Sequence, residues 1–84
     1  MPGWSLEGEA LTRRFNFSSF PDAVLFVARL AFDAEAHDHH PDITINYKHV
    51  TVAWSTHDDH GVTEKDFAGA SQSDTIARTF GATS

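Results

Sequence analysis

Hydrophobic residues along the chain follow two periods, and the longer period predicts two helices. Between residues 20 and 38, apolar residues recur every three or four positions, which is typical of a helix of about four turns packed against a sheet. A second helix is predicted from Thr63, a favourable N-cap, to about Thr79. The apolar face of the first helix, which Phe26 widens, consists of Ala23, Val24, Val27, Leu30, Ala31 and Ala34.

The shorter period, in which apolar and polar residues alternate, predicts strands. The predicted strands cover residues 4–7, 10–17, 43–45 and 50–54. Gly8 suits a turn between the first two, and the alternation changes phase over residues 46–49, so a tight turn or a bulge there joins two antiparallel strands. Arg13 falls on the apolar side of the second strand, which would be tolerated best at a sheet edge.

Length and composition indicate one small globular domain spanning residues 1–84. Hydrophobic residues make up 40% of the 84 residues, enough for a modest core, and domains of this size often gain stability as homo-oligomers. The absence of cysteine excludes disulfides and thiolate metal sites. A formal charge of -6 argues against nucleic acid as a partner. Because neither a membrane-spanning run nor a leader is visible, the expected compartment is the cytoplasm.

Groups suited to chemistry are concentrated between residues 35 and 41. This stretch holds three histidines and two carboxylates, although the whole chain has only six histidines. Pro41 has no N–H and disfavours helical backbone at His40, so the helix is expected to end here, at a helix-to-strand corner whose side chains face a cleft. Imidazole takes up and gives up protons near neutral pH, which suits His39 and His40 to acid/base chemistry.

Two more residues are expected to join this corner in the folded chain. His57 follows the last predicted strand and can return to His39 and His40, with the carboxylate of Asp66 nearby. Three interpretations remain open: metal-free acid/base catalysis, a zinc site, or a polar surface cluster. The spacing does not favour zinc, because there is no HExxH and adjacent histidines point in different directions. Trp4 is interpreted from the sequence as a core residue in preference to a pocket wall.

Glu35, three residues, His39-His40-Pro41, five residues, Tyr47, nine residues, His57, eight residues and Asp66 follow one another in this order. The pattern resembles the signature of the pterin-4a-carbinolamine dehydratases, with every element present. Neighbouring segments are similar too, over Gly3-Trp4, Leu6-Glu7-Gly8, Arg14-Phe15, Ser55-Thr56-His57 and Thr63-Glu64-Lys65-Asp66. The resemblance runs from Trp4 to about Phe80. Family members usually carry a further helix before the Gly-Trp pair and are more apolar over residues 69–74, so a tetramer is less expected than a dimer.

The resemblance implies an α+β fold in which a four-stranded antiparallel sheet carries two main helices on one face. It implies a hydro-lyase that removes water from 4a-hydroxytetrahydrobiopterin to give quinonoid dihydropterin, which recycles the cofactor of aromatic amino acid hydroxylases. Neither a metal nor a cofactor of the enzyme's own is implied. By resemblance the catalytic residues are His39 and His57, which would transfer protons, and His40, which would bind substrate. The supporting and substrate-binding residues would be Trp4, as a pocket wall, Glu35, Asp38 and Asp66.

Two other functions remain open at this point. One is a binding module that keeps the fold without the activity, because some animal relatives bind a homeodomain transcription factor. The other is a similar reaction on a different pterin, such as an intermediate of molybdenum cofactor metabolism. The presence of His39, His40 and His57 together favours an enzyme, since a pure binding protein has no need of all three.

Overall fold

The computed structural model describes residues 1–56 and 61–84. Over these residues the chain forms four strands and two helices, which confirms the α+β fold. In chain order they are β1 (Ser5–Glu7), β2 (Ala10–Asn16), α1 (Phe20–Ala36), β3 (Asp42–Asn46), β4 (His49–Trp54) and α2 (Glu64–Thr79). Within the described ranges, neither helix has the length and apolar character needed to span a membrane.

The strands form one antiparallel sheet in the order β1-β2-β4-β3. Helix α1 packs against β3 and β4, helix α2 packs against β2 and β4, and the two helices also contact each other. The covered face carries the buried residues of β2 and β4, which are Leu11, Phe15, Val50, Val52 and Trp54. The helices therefore lie side by side on one face, and the ends of α1 and β4 lie near the start of α2.

The hairpin between β3 and β4 explains the change of phase in the sequence. Asn46 pairs with His49, which leaves only Tyr47 and Lys48 in the loop. Tyr47 has a φ of 56°, in the left-handed region that tight hairpin turns require. Because the hairpin folds the strands back on each other, residues that alternate in opposite phase along the chain lie opposite one another, as in the pair of Ile45 and Val50.

The buried side of α1 is rotated from the predicted face. Ala23, Phe26, Leu30 and Ala34 are buried, and Phe26 is completely inaccessible. Val24 and Ala31, which the apolar periodicity assigns to the core, are exposed, with Val24 at 40%. The prediction is wrong at these two positions because α1 is apolar over much more than one face, and periodicity alone does not select the side that meets the sheet.

Arg13 lies on β2, where β1 pairs only as far as Thr12, so Arg13 is paired with β4 on one side and lies past the end of β1 on the other, as expected of an edge position. Its charge is accommodated by Asp74 of α2, whose Oδ1 accepts a hydrogen bond from the guanidinium at 3.0 Å. The same carboxylate accepts the indole N–H of Trp4 at 3.0 Å, and the guanidinium also lies over the Phe15 ring, 4.7 Å from its centroid. Trp4 is 8% exposed and packs edge-to-face on Phe15, as the core interpretation expects.

Candidate active site

A helix end places His39 beside the sheet. The N–H of His39 donates to the carbonyl of Ala34, and the N–H of Asp38 donates to that of Glu35, both at 3.2 Å, which is the pattern of a Schellman motif. Asp38 has a φ of 51°, a left-handed conformation that aspartate tolerates better than most residues. The predicted helix end within residues 35–41 is confirmed, since α1 ends at Ala36, and the turn at Asp38 ends it before the chain reaches Pro41.

His39 is bonded to Asp66, which comes from the first turn of α2. Nε2 of the imidazole lies 2.6 Å from Oδ1 of Asp66, and the carboxylate is completely buried while the His39 side chain is 17% exposed. The structure thus pairs Asp66 with His39, one of the histidines near which the sequence places this carboxylate. A short contact between a buried carboxylate and an imidazole is a strong hydrogen bond, because both groups have lost most of their water.

The other oxygen of Asp66 is held by the backbone and a hydroxyl group. Oδ2 accepts the N–H of Thr63 at 2.9 Å and the hydroxyl of Thr56 at 2.8 Å, and the hydroxyl of Thr63 lies 2.8 Å from that of Thr56. Burial alone would raise the pKa of Asp66, but the hydrogen bonds from His39, Thr63 and Thr56 outweigh it and hold the pKa below its ordinary value of 3.8. Asp66 is therefore an anion at neutral pH.

The charge on Asp66 determines which nitrogen of His39 is available for chemistry. A carboxylate only accepts hydrogen bonds, so Nε2 carries the proton and donates it to Asp66. In the neutral ring Nδ1 then holds the free lone pair, and Nδ1 makes no hydrogen bond to any residue within 1–56 or 61–84. This is the arrangement in which a buried aspartate fixes the tautomer of a general base and stabilises its protonated form.

His40 points away from that pair and forms its own contact with a carboxylate. Its Nε2 lies 2.7 Å from Oε1 of Glu35, and both side chains are largely exposed. His39 and His40 nevertheless share a polar cavity of about 580 Å³, which we call the histidine cavity. Its lining residues are Asp38, His39, His40, Pro41, Asp42, Ser55, Thr56 and Lys65.

The remaining predicted site residues have different positions. His57 lies outside the described residues. Trp4 is a buried core residue that lines neither the histidine cavity nor the cavity of about 510 Å³ between α1 and α2, and its role as a pocket wall stays a prediction. Within residues 1–56 and 61–84, no cluster of three or more histidine, aspartate or glutamate side chains has the arrangement of a metal site.

Two residues of the site were not selected from the sequence for a role. Lys65 lines both cavities and brings a cation to the carboxylates around the histidines. Thr56 holds Asp66 through its hydroxyl. Each was noted only as a part of the resemblance, although Lys65 stands next to Asp66 in the chain. No sequence pattern around Thr56 predicts its hydrogen bond to Asp66, because that contact depends on how α2 packs against the end of β4.

Comparison with known proteins connects this geometry to a family. The family described as Pterin 4 alpha carbinolamine dehydratase matches residues 1–76. A Chloroflexus aurantiacus protein named as a candidate pterin-4-alpha-carbinolamine dehydratase is 52% identical over 75 residues, which are 89% of this chain and 81% of that protein. A protein of Mycobacteroides abscessus with the same name is 47% identical over 75 residues, 89% of this chain and 80% of its own.

Solved structures agree with this assignment. A transcriptional coactivator/pterin dehydratase from Brucella melitensis has a TM-score of 0.86 and 40% identity, covering 92% of this chain and 84% of its own. A pterin dehydratase-like protein identified as a RuBisCO assembly factor in the alpha-carboxysome has a TM-score of 0.73, covering 88% of this chain and 86% of its own. At 24% identity, that likeness concerns the fold alone. By its sequence and its fold, the chain belongs to the pterin-4a-carbinolamine dehydratase family.

Proposed function

We propose that this protein is a hydro-lyase that dehydrates 4a-hydroxytetrahydrobiopterin to quinonoid dihydropterin without a metal, and so recycles the cofactor of aromatic amino acid hydroxylases. The observation that carries the proposal is the 2.6 Å contact between His39 and the buried Asp66 at the wall of the histidine cavity. A buried anion behind an imidazole is costly for stability and is useful where the imidazole must accept a proton.

The proposed reaction needs one acid and one base. The bond between the 4a carbon and its hydroxyl oxygen breaks, and the oxygen leaves as water after it receives a proton from the acid. The ring nitrogen bonded to that carbon loses its proton to the base, and its electrons form the new C=N bond. The hydroxylated pterin and the quinonoid dihydropterin therefore differ by one molecule of water, and no electron acceptor is consumed.

His39 is suited to the proton-transfer role because Nδ1 is the nitrogen with the free lone pair and Asp66 stabilises the protonated ring. His57 is proposed as the second proton-transfer group by resemblance to the family. His40, whose Nε2 is engaged by Glu35, is proposed to bind the substrate and to contribute charge. Asp38 and Lys65 line the same cavity and supply polar contacts for the pterin ring. The volume of the cavity, about 580 Å³, is ordinary for a small-molecule site.

The proposal extends to assembly and location. The outward side of α1 exposes several large apolar residues, which supports a homo-oligomer; these are Phe20, Val24, Leu25 and Phe32. Residence in the cytoplasm belongs to the same proposal, because the reduced pterin has to be regenerated where a hydroxylase consumes it.

Stopped-flow dehydration of synthetic 4a-hydroxytetrahydrobiopterin at neutral pH tests the proposal. Wild-type protein is expected to accelerate the reaction, and His39→Ala is expected to lower the rate by roughly 10²-fold or more, the usual scale for a positioned acid or base. His49→Ala is the matched control, since His49 begins β4 and pairs with Asn16, at the opposite end of that strand from Trp54. No acceleration by a folded wild type would reject the dehydratase in favour of a binding role.

A further inference from the structure

The imidazole of His39 lies against the indole of Trp54, the last residue of β4. The two ring centroids are 5.4 Å apart and the ring planes are inclined by 27°, which is a stacked arrangement. Trp54 is 3% exposed. His39 therefore has two different restraints, a hydrogen bond that its Nε2–H donates to Asp66 and a contact with the face of an aromatic ring.

Two residues of α2 hold the indole in place. Its Nε1–H donates to the hydroxyl of Ser73 at 3.1 Å, and that hydroxyl donates to the carbonyl of Gly69 at 2.8 Å. Gly69 lies directly under the ring, since a Cβ added to it would lie only 2.6 to 2.7 Å from three ring carbons of Trp54. The glycine that weakens α2 as a helix thus lets the indole rest on the helix backbone.

The hydrogen bond to Asp66 does not by itself fix the plane of the imidazole. Nε2 lies nearer than Nδ1 to the extension of the Cβ–Cγ bond, so rotation about that bond displaces Nδ1 more than Nε2 and turns the direction of its lone pair. The torsion about this bond has broad intrinsic minima in histidine. A contact with the face of the ring restricts this rotation, and Trp54 is a neighbour that makes such a contact.

We propose that Trp54, held by Gly69 and Ser73, is a positioning residue that sets the plane of the His39 imidazole and therefore the direction of Nδ1. The effect of Trp54 on turnover rests on the proposed function of His39. Its effect on the plane of the imidazole does not. If Trp54 were only a core residue, its loss would change stability and leave the turnover of the folded enzyme unaltered.

Three variants separate these cases by kinetics. Ser73→Ala removes the partner of the indole N–H, Gly69→Ala pushes a methyl group into the ring, and Trp54→Leu removes the ring. Each is expected to lower kcat by about 10- to 100-fold, the scale of a misplaced catalytic group, with KM changed by less than roughly threefold. Trp54→Phe keeps an aromatic face and is expected to retain more activity than Trp54→Leu.

Two controls remove the contribution of folding. Phe17→Leu also deletes a buried aromatic ring, one that packs on Phe26 in the core, but lies away from the histidine cavity, so its kcat should match wild type. The double variant Gly69→Ala with Trp54→Leu relieves the steric conflict and should fold more stably than Gly69→Ala alone, yet remain as slow as Trp54→Leu. Recovery of wild-type kcat in that double variant would overturn the proposal.

A measurement that needs no activity separates this inference from the proposed function. In the proton NMR spectrum, the carbon-bound ring protons of His39, assigned by their loss in His39→Ala, should show a ring-current shift that disappears in Trp54→Leu and persists in Phe17→Leu. An inactive wild type with this shift would reject the dehydratase and keep the positioning role. A wild type without the shift would overturn the positioning role whatever its activity.

Discussion

Asp66 and His39 are joined by one 2.6 Å contact across 27 positions of sequence, between the first turn of α2 and the residues that follow α1. Every oxygen of the carboxylate has a partner, and its charge is fully removed from water. The pair therefore links the chemistry of the histidine to the stability of the fold, and the two can be measured separately.

The lowered pKa of Asp66 predicts a loss of stability in acid. As pH falls, the unfolded chain binds a proton at this carboxylate near its ordinary value of 3.8, while the folded protein resists protonation, so the free energy of unfolding decreases as pH falls through 3.8 and below. Asp66→Asn should flatten this part of the profile. Urea titrations between about pH 6 and pH 3 measure how steeply the free energy of unfolding falls with pH in the wild type and in Asp66→Asn. Equal slopes in the two proteins would contradict a lowered pKa of Asp66.

Asp66→Asn should also slow the proposed reaction at neutral pH, where stability is not limiting. An amide in place of the carboxylate can donate to Nε2 and so favour the tautomer that leaves no lone pair on Nδ1, and it no longer stabilises the protonated ring. We expect a loss of roughly 10²-fold or more in kcat, comparable to that of His39→Ala. Thr56→Val, which removes only one hydrogen bond to Asp66, should cost much less.

Glu35→Gln should have little effect, although Glu35 belongs to the family signature. Its contact with His40 joins side chains that are 79% and 57% exposed, and exposed ion pairs are worth at most about 1 kcal/mol. We expect kcat/KM to stay within roughly threefold of wild type, measured at low and high salt. A much larger loss would indicate that Glu35 contacts the substrate directly instead of supporting His40.

The sequence predicted the elements well and the site in part. Period-two and helical patterns located all four strands and both helices in the described ranges, although β1 and β3 contain no buried residue. The sequence also predicted that His39, His40 and Asp66 lie at one corner of the fold. The sequence did not show which histidine meets Asp66, that Gly69 makes room for Trp54, or that Asp74 neutralises Arg13, because each depends on how α2 is placed on the sheet.

Asp74→Ala should destabilise the protein without altering turnover. It would leave both the Trp4 indole N–H and the partly buried Arg13 guanidinium without their acceptor, at a cost of about 2 to 4 kcal/mol. Asp74→Asn, which keeps one carbonyl acceptor, should cost less. Equilibrium unfolding in urea measures the order of the two variants; a change below about 0.5 kcal/mol for Asp74→Ala would show that the carboxylate is not needed.

The exposed apolar side of α1 predicts self-association. Phe32 is 75% exposed, so Phe32→Asp should dissociate the proposed oligomer and leave the monomer folded. Ser18→Asp, an exposed position just before α1, adds the same charge as a control. Sedimentation velocity at micromolar concentration tests both, and a monomeric wild type would exclude a stable homo-oligomer.

The close approach of Gly69 to Trp54 also restricts how this sequence can evolve. A larger residue at position 69 is harmful while the indole is present, because its Cβ meets the ring. A smaller residue at position 54 leaves a cavity, and a larger residue that appears later in evolution at position 69 can fill it. Lineages that exchange this pair are therefore expected to change the aromatic residue first, so substitutions at the two positions should be correlated and ordered in time.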